Sequence, residues 1–198
     1  ILGFSQAPGL DANSPRINSS SALKNMLVET VFEPGSIMKP FVVAAALENK
    51  LVTPSDMIDC EQGRFKFAGR VIRDVHPSDV ISIRDVLIRS SNIGMSKIGI
   101  RLGKEKLYSA LKSFGFGVKS GLGLPGESLG LLRPIEAWSG VDIATHSFGQ
   151  GVAVTPLQVV RAVAAVANGG KLPQLHLILD NREYSYQRVM SARTAEAI

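Results

Sequence analysis

One stretch constrains this chain more than any other. Glu33-Pro34-Gly35-Ser36-Ile37-Met38-Lys39-Pro40 runs directly into the apolar segment Phe41 to Leu47. Pro34 and Gly35 make a turn, and Pro40 is tolerated only within a first helical turn, where its missing N–H leaves no bond unmade. A helix therefore begins at about Ser36. Being apolar nearly all round, it must be buried, so other elements have to pack about it.

The start of that helix carries chemistry. Ser36 and Lys39 have the S-x-x-K spacing, and residues three apart on a helix share a face, so the lysine amine can reach the serine hydroxyl. A serine hydroxyl is a poor nucleophile until a base takes its proton. Lysine is such a base only when its pKa falls well below about 10.4. Burial against Phe41-Val42-Val43 and the helix N-terminal dipole both favour the neutral amine. The same dipole, with the Ser36 N–H, favours an oxyanion at the serine. The spacing alone is a weak signal, since Ser21-Ala22-Leu23-Lys24 and Ser109-Ala110-Leu111-Lys112 share it. Those two fall in a polar loop and in mid-helix, so context selects Ser36.

Ser90-Ser91-Asn92 is the chain's only S-x-N and falls between two expected helices. Ser90 suits proton relay between Lys39 and a leaving amine, and Asn92 suits a hydrogen bond to a substrate amide. The same residue types suit an N-cap for the helix that runs on from Ile93. Taken alone, the triplet leaves both readings open.

The rest of the chain reads as follows. Ile1 to Ser5 resembles the end of a strand, and Ala7 to Asn25 is a Pro-, Gly-, Asn- and Ser-rich loop. Residues 57–73 predict short strands, with a turn at Ala68-Gly69. Ser82-Ile83-Arg84-Asp85 predicts a capped helix to about Arg89. Ile93, Met95, Ile98 and Leu102 predict another helix, and Glu105 to Phe114 a third. Gly115 to Gly130 is loop. Thr155-Pro156-Leu157-Gln158 opens a helix that stops at Asn168-Gly169-Gly170. A short strand is expected at Leu175 to Leu179, and a last helix from Ser191.

Composition excludes several function classes. The 198 residues suit one domain or most of one, and 45% hydrophobic with 20% charged is ordinary globular material. Net charge is +5, but the basic residues are scattered among acids and apolar side chains, which reads as a solvated face. Aromatics make up 6% and do not interleave with the charges, so no nucleic-acid platform is expected. Cys60 is the only cysteine, and His76, His146 and His176 share no ligand spacing, so neither a metal nor any other cofactor is expected. No run of eighteen apolar residues and no leader-like start is visible, so this stretch is not expected to span a membrane.

Beyond the two motifs, long stretches resemble the transpeptidase domain of class B penicillin-binding proteins, the division-type enzymes especially. Glu33-Pro34-Gly35-Ser36 with Lys39-Pro40 resembles that family's E-P-G-S-x-x-K-P, and Ser90-Ser91-Asn92-Ile93-Gly94 its S-S-N-x-G. Phe114-Gly115-Phe116-Gly117 with Leu124-Pro125-Gly126-Glu127 resembles F-G-F-G…L-P-G-E, and Ser147-Phe148-Gly149-Gln150-Gly151 with Thr155-Pro156-Leu157-Gln158 resembles S-F-G-x-G…T-P-L-Q. The resemblance implies an α/β (α+β) fold of the penicillin-binding protein and serine β-lactamase type. Residues 1–198 would hold its helical part and only part of the central antiparallel sheet. The first strand's start and the lysine-threonine-glycine strand would lie outside. Lys119-Ser120-Gly121 fits that third pattern but sits in the glycine-rich loop, and is read as a decoy.

The resemblance further implies a serine D,D-transpeptidase. Ser36 would be the nucleophile, Lys39 the general base, Ser90 the proton relay and Asn92 the substrate-amide partner. Its substrate would be a D-Ala-D-Ala stem peptide of peptidoglycan, with β-lactams as covalent inhibitors. It would act on the outer face of the bacterial cytoplasmic membrane, held by a single-pass anchor outside this chain. A membrane glycan polymerase and divisome or elongation proteins would be its partners. Other readings are a D,D-carboxypeptidase, a class A β-lactamase, or a catalytically silent scaffold or β-lactam sensor of the same fold. Against the β-lactamase, no glutamate here is followed three residues later by leucine-asparagine.

Overall fold

The structure, a computed structural model, describes residues 3, 5–7, 13, 24–178 and 185–198. Most of the strand expected at Ile1 to Ser5, most of the Ala7 to Asn25 loop, the first three residues of the motif starting at Ser21, and Leu179 lie outside the described residues.

The chain runs through eight helices among the described residues: α1 (Met26–Glu29), α2 (Lys39–Glu48), α3 (Ile83–Ile88), α4 (Asn92–Leu102), α5 (Lys104–Ser113), α6 (Asp142–His146), α7 (Pro156–Ala167) and α8 (Ala192–Ala197). Three antiparallel two-stranded sheets accompany them. They pair β1 (Met57–Asp59) with β4 (Val80–Ser82), β2 (Arg64–Phe67) with β3 (Arg70–Arg73), and β5 (Lys171–Pro173) with β6 (Tyr186–Arg188).

α2 is the centre of the packing, and its sequence dictates this. Lys39 and Phe41 through Ala46 are all buried, so no side of the helix is left for water. α4, α5 and α8 pack against it. Phe41 sets its ring 5.1 Å from that of Phe114 and 5.3 Å from that of Phe116, tilted as aromatic quadrupoles prefer. The helix does not begin at Ser36 in α form. Gly35–Met38 is a 3₁₀ turn, and α2 proper starts at Lys39 with Pro40 in its first turn.

α4 crosses its neighbours at close range. A Cβ on Gly99 would lie 1.7 Å from Ser147 Oγ, and one on Gly94 would lie 2.5 Å from a Val86 methyl. Only glycine admits α6 and α3 so near. The Ser147 hydroxyl, pressed into that crossing, donates to the Ile143 carbonyl at 2.7 Å.

The expected caps form. Ser82 Oγ accepts from the Asp85 N–H at 3.0 Å, opening α3. At α7, Thr155 Oγ1 accepts from the Gln158 N–H while Gln158 Oε1 accepts from the Thr155 N–H, a complete capping box. The strand expected at Leu175 to Leu179 is displaced. Pairing occupies Lys171–Pro173 instead, because the turn at Gly169-Gly170 returns the chain at once and Leu172 enters the core. Leu177 and Ile178 stay exposed.

Phe41→Ala should lower the unfolding free energy by about 3–5 kcal/mol, through lost burial and the cavity left between the rings. Val163→Ala, on an exposed position of α7, should change it by less than about 0.5 kcal/mol. Denaturant titration of the two variants against the parent checks the pair.

Candidate active site

Ser36 rides the turn before α2, and that turn is held from the far side of the sequence. The Gly35 N–H donates to the Gly149 carbonyl at 3.0 Å, and the Gly151 N–H donates to Glu33 Oε1 at 2.8 Å. Phe32 and Val154 exchange two backbone bonds just before it. Gly149 has φ +80°, and a Cβ there would lie 2.1 Å from the Gly35 carbonyl oxygen, so the segment 147–151 clamps the serine's turn as only glycine allows.

Lys39 is 2% exposed, yet its Nζ makes three hydrogen bonds. It donates to the Ser90 carbonyl at 2.6 Å, to Ser90 Oγ at 2.8 Å and to Asn92 Oδ1 at 2.9 Å. Ser90 Oγ in turn donates to Ser36 Oγ at 2.9 Å. The four residues singled out in the sequence thus form one connected network. Among the described residues no hydrogen bond joins Lys39 to Ser36 directly; Ser90 stands between them. Burial brings the Lys39 amine down to about 8, against a smaller upward pull from the Asp74 carboxylate.

The Ser90-Ser91-Asn92 triplet divides its work. α3 ends in a Schellman arrangement, with the Ser90 N–H donating to the Leu87 carbonyl and the Ser91 N–H to the Val86 carbonyl. Ser90 therefore has φ +57°, a left-handed conformation usual for glycine, which aims both its oxygens at Lys39. Ser91, the middle residue, is the N-cap of α4 and accepts from the Gly94 N–H at 2.9 Å. The capping reading applies to Ser91, while Ser90 and Asn92 on either side of it meet the Lys39 amine.

Asp74 was not legible as a site residue. It follows β3, and its Oδ1 accepts from the N–H groups of Asn92 at 2.5 Å and Ile93 at 3.0 Å. Its Oδ2 accepts from Ser91 Oγ at 2.6 Å. Asn92 Nδ2 donates to the Arg73 carbonyl at 3.1 Å, which leaves Oδ1 turned to Lys39. The β2–β3 hairpin thereby fixes the start of α4, and is itself tied to α4 by Lys97, which pairs with Glu61 at 2.6 Å and lies over the Phe65 ring. The only sequence hint was an acid closing a hairpin, and nothing in its spacing points to Asn92.

Remaining sequence candidates do not join the site. Ser109 and Lys112 lie on α5, where Lys112 Nζ donates to the Gly117 carbonyl. Lys119-Ser120-Gly121 lies in irregular loop, with the Ser120 N–H held by Glu127. His76 is exposed, while His146 is buried edge-on to Trp138 and its Nδ1 meets the Gln150 carbonyl at 3.1 Å. Among the described residues no group of histidines, cysteines and acids is arranged to hold a metal. A cavity of about 500 Å³ lined by Val43, Leu47, Ile83 and Ile198 lies further along α2 and has no serine, threonine, cysteine or lysine in its wall.

Comparison with known proteins identifies the family. The family model described as the penicillin binding protein transpeptidase domain matches residues 2–198. The chain is 34% identical over 198 residues to a probable peptidoglycan D,D-transpeptidase, PbpC, of Pseudomonas aeruginosa, covering all of this chain and 35% of that protein. It is 40% identical over 175 residues to stage V sporulation protein D of Bacillus subtilis, covering 87% of this chain and 27% of that one. Penicillin-binding protein 3 of Mycobacterium tuberculosis, solved in complex with aztreonam, superimposes with a TM-score of 0.82 at 33% identity, over 88% of this chain and 42% of that chain. The chain thus spans less than half the length of each of these relatives. On the family match and these likenesses, the chain belongs to the penicillin-binding protein transpeptidase domain family and has its fold.

Proposed function

We propose that the protein is a serine D,D-transpeptidase that cross-links peptidoglycan stem peptides through an acyl-enzyme on Ser36 and is acylated there by β-lactams. The observation that carries this is the chain of contacts from Ser36 Oγ through Ser90 Oγ to the buried Lys39 amine. PbpC and its like supply the reaction class by their names, and the aztreonam complex of the mycobacterial relative supports β-lactam recognition.

The steps follow from that chain. Neutral Lys39 takes a proton from Ser90 Oγ as Ser90 takes one from Ser36 Oγ, so the base acts through one hydroxyl. Ser36 Oγ attacks the carbonyl between the two terminal D-alanines. The oxyanion forms beside the Ser36 N–H, at the start of α2. As the C–N bond breaks, the proton returns from Lys39 through Ser90 to the amine of the departing D-alanine. Asn92 Oδ1 keeps the lysine in place, and its Nδ2, which donates to the Arg73 carbonyl, is the group that would turn to a substrate amide. The amine of a second strand then attacks the ester carbonyl, and as the bond to Ser36 Oγ breaks the amine's proton passes along the same path to Ser36 Oγ, which restores the serine.

No described helix is long and apolar enough to cross a membrane. The substrate nonetheless places the reaction on the outer face of the cytoplasmic membrane. We infer that an anchor outside this chain holds the domain there, beside a glycan polymerase of the division or elongation machinery.

Incubation of the full-length protein with benzylpenicillin should give a long-lived adduct by intact mass that maps to Ser36 and is absent from Ser36→Ala. An adduct that vanishes within seconds would indicate a β-lactamase, and no adduct on folded protein a silent scaffold. The acylation rate should rise about tenfold per pH unit below pH 8 and level off above it, because the neutral fraction of Lys39 grows until the amine is deprotonated. Asp74→Asn removes the charge that holds the Lys39 amine up, so the midpoint of that profile should move to lower pH. An unmoved midpoint with a normal melting temperature would dismiss Asp74 as a positioning residue.

A further inference from the structure

His146 takes no part in the relay, yet it stands directly behind the segment that holds the nucleophile's turn. It closes α6 and is fully buried, with its ring edge-on to Trp138 at 4.5 Å between centroids. Its carbonyl accepts from the Gly149 N–H at 3.2 Å, and its Nδ1 meets the Gln150 carbonyl at 3.1 Å. Gly151 then crosses the ring so closely that a Cβ there would lie 3.0 Å from Cε1 and 3.2 Å from Nδ1. Two of these residues reach Ser36: the Gly149 carbonyl receives the Gly35 N–H, and the Gly151 N–H is held by Glu33. His146 thus meets the segment at the residues that grip the serine's turn.

The bond to Gln150 fixes the ring's protonation. A carbonyl only accepts, so Nδ1 carries the hydrogen, and the neutral imidazole then has a bare lone pair at Nε2. Nε2 is buried and has no hydrogen-bond partner among the described residues. A proton added there would put a charge into a dry site with nothing to receive it. The charged groups nearby do not reverse this. Asp142, one turn earlier on α6, spends Oδ2 on the Arg133 guanidinium and the Ser139 N–H, and Glu33 spends Oε1 on Gly151. Of the neighbouring helices, α4 sends Lys97 to Glu61 and leaves Arg101 exposed, and α5 sends Lys104 to the Trp138 carbonyl. Burial outweighs the pull of the Asp142 and Glu33 carboxylates and holds the imidazole below the usual histidine range. Packing alone would be served as well by a phenyl ring, which buries no bare nitrogen. What the imidazole adds is its bond to the segment.

We propose that His146 is a positioning residue for Ser36 that works only as the neutral Nδ1–H imidazole, holding segment 147–151 and so the turn that carries the nucleophile. The inference rests on the acyltransferase reading of Ser36 and adds to it a support that responds to protons. When the segment lifts, the ring meets water and takes a proton at the ordinary histidine value; while the segment is closed it does not. Falling pH therefore favours lifting, by linkage. The support is complete above the ordinary histidine value and is lost as pH falls through the lowered one.

The test is the pH profile of Ser36 acylation by benzylpenicillin, read by intact mass on the full-length protein from about pH 4 to about pH 9. Loss of the neutral Lys39 amine alone gives a fall of about tenfold per pH unit below pH 8. In the parent the fall should steepen to about a hundredfold per unit at the acid end, where two groups must both be neutral. His146→Asn offers an N–H near the Nδ1 position and does not titrate. It should hold the rate at neutral pH to within about threefold and keep the single slope throughout. His146→Leu fills the site without a donor and should slow acylation about tenfold at every pH, with a melting temperature close to the parent's. A histidine that only packs would give neither the changed slope nor the rescue by asparagine. A single slope in the parent, a steep limb that persists in His146→Asn, or a parent-like rate in His146→Leu would each overturn the inference. So would an acid limb that coincides with loss of the parent's melting transition. The parent's own slope decides even where both substitutions unfold the domain. If an adduct forms on Ser36 with a single slope, only the role of His146 falls; if the parent takes no adduct at any pH, the acyltransferase reading falls with it.

Discussion

Everything in this domain is arranged around a lysine amine that is buried and still fully hydrogen-bonded. An ammonium taken out of water without partners is prohibitively costly, and a lysine left fully protonated is no base. Lys39 avoids both extremes because three oxygens receive it, two from Ser90 and one from Asn92. Desolvation then brings it to about 8, within reach of neutral pH. Removing any of the three acceptors would leave a buried donor unmatched, so the second motif is a structural counterpart of the lysine as well as part of the proposed relay.

That contact has to be built from three remote parts of the chain. α2 supplies the lysine and, by its wholly apolar surface, the core about which the other helices collect. The end of α3 supplies Ser90 through its Schellman turn, and α4 begins at Asn92 with Ser91 and Asp74 satisfying its first N–H groups. The segment 147–151 reaches across to hold the turn that carries Ser36. Each connection is made by main-chain groups or by short side chains with few rotamers. The geometry therefore costs little side-chain entropy and tolerates little displacement.

Much of this was legible in the sequence, for identifiable reasons. Pro40 placed the start of a helix, the apolar run after it placed that helix in the core, and Thr155 with Gln158 announced a cap that the structure contains in full. Those are local signals, readable within four or five residues. What was not legible is non-local. Asp74 acts on residues 17 to 19 positions away through a hairpin, and Gly149 touches Gly35 from the other half of the chain. The missed strand has a related cause: Leu175 and Leu177 carry the stronger alternation, but the Gly169-Gly170 turn had already committed Leu172 to the core. Local pattern lost to the path of the chain.

Ser90 carries a consequence for how such a domain changes over generations. Its left-handed backbone is one that glycine adopts without strain and serine only at some cost. Backbone strain there favours glycine, but the Ser90 hydroxyl is also one of the three acceptors of the buried Lys39 amine. The two demands oppose each other, so glycine at this position becomes favourable only once the lysine is gone as well. A descendant freed from chemistry would lose the two together, the lysine to an apolar side chain and the serine to glycine, and would fold the better for it.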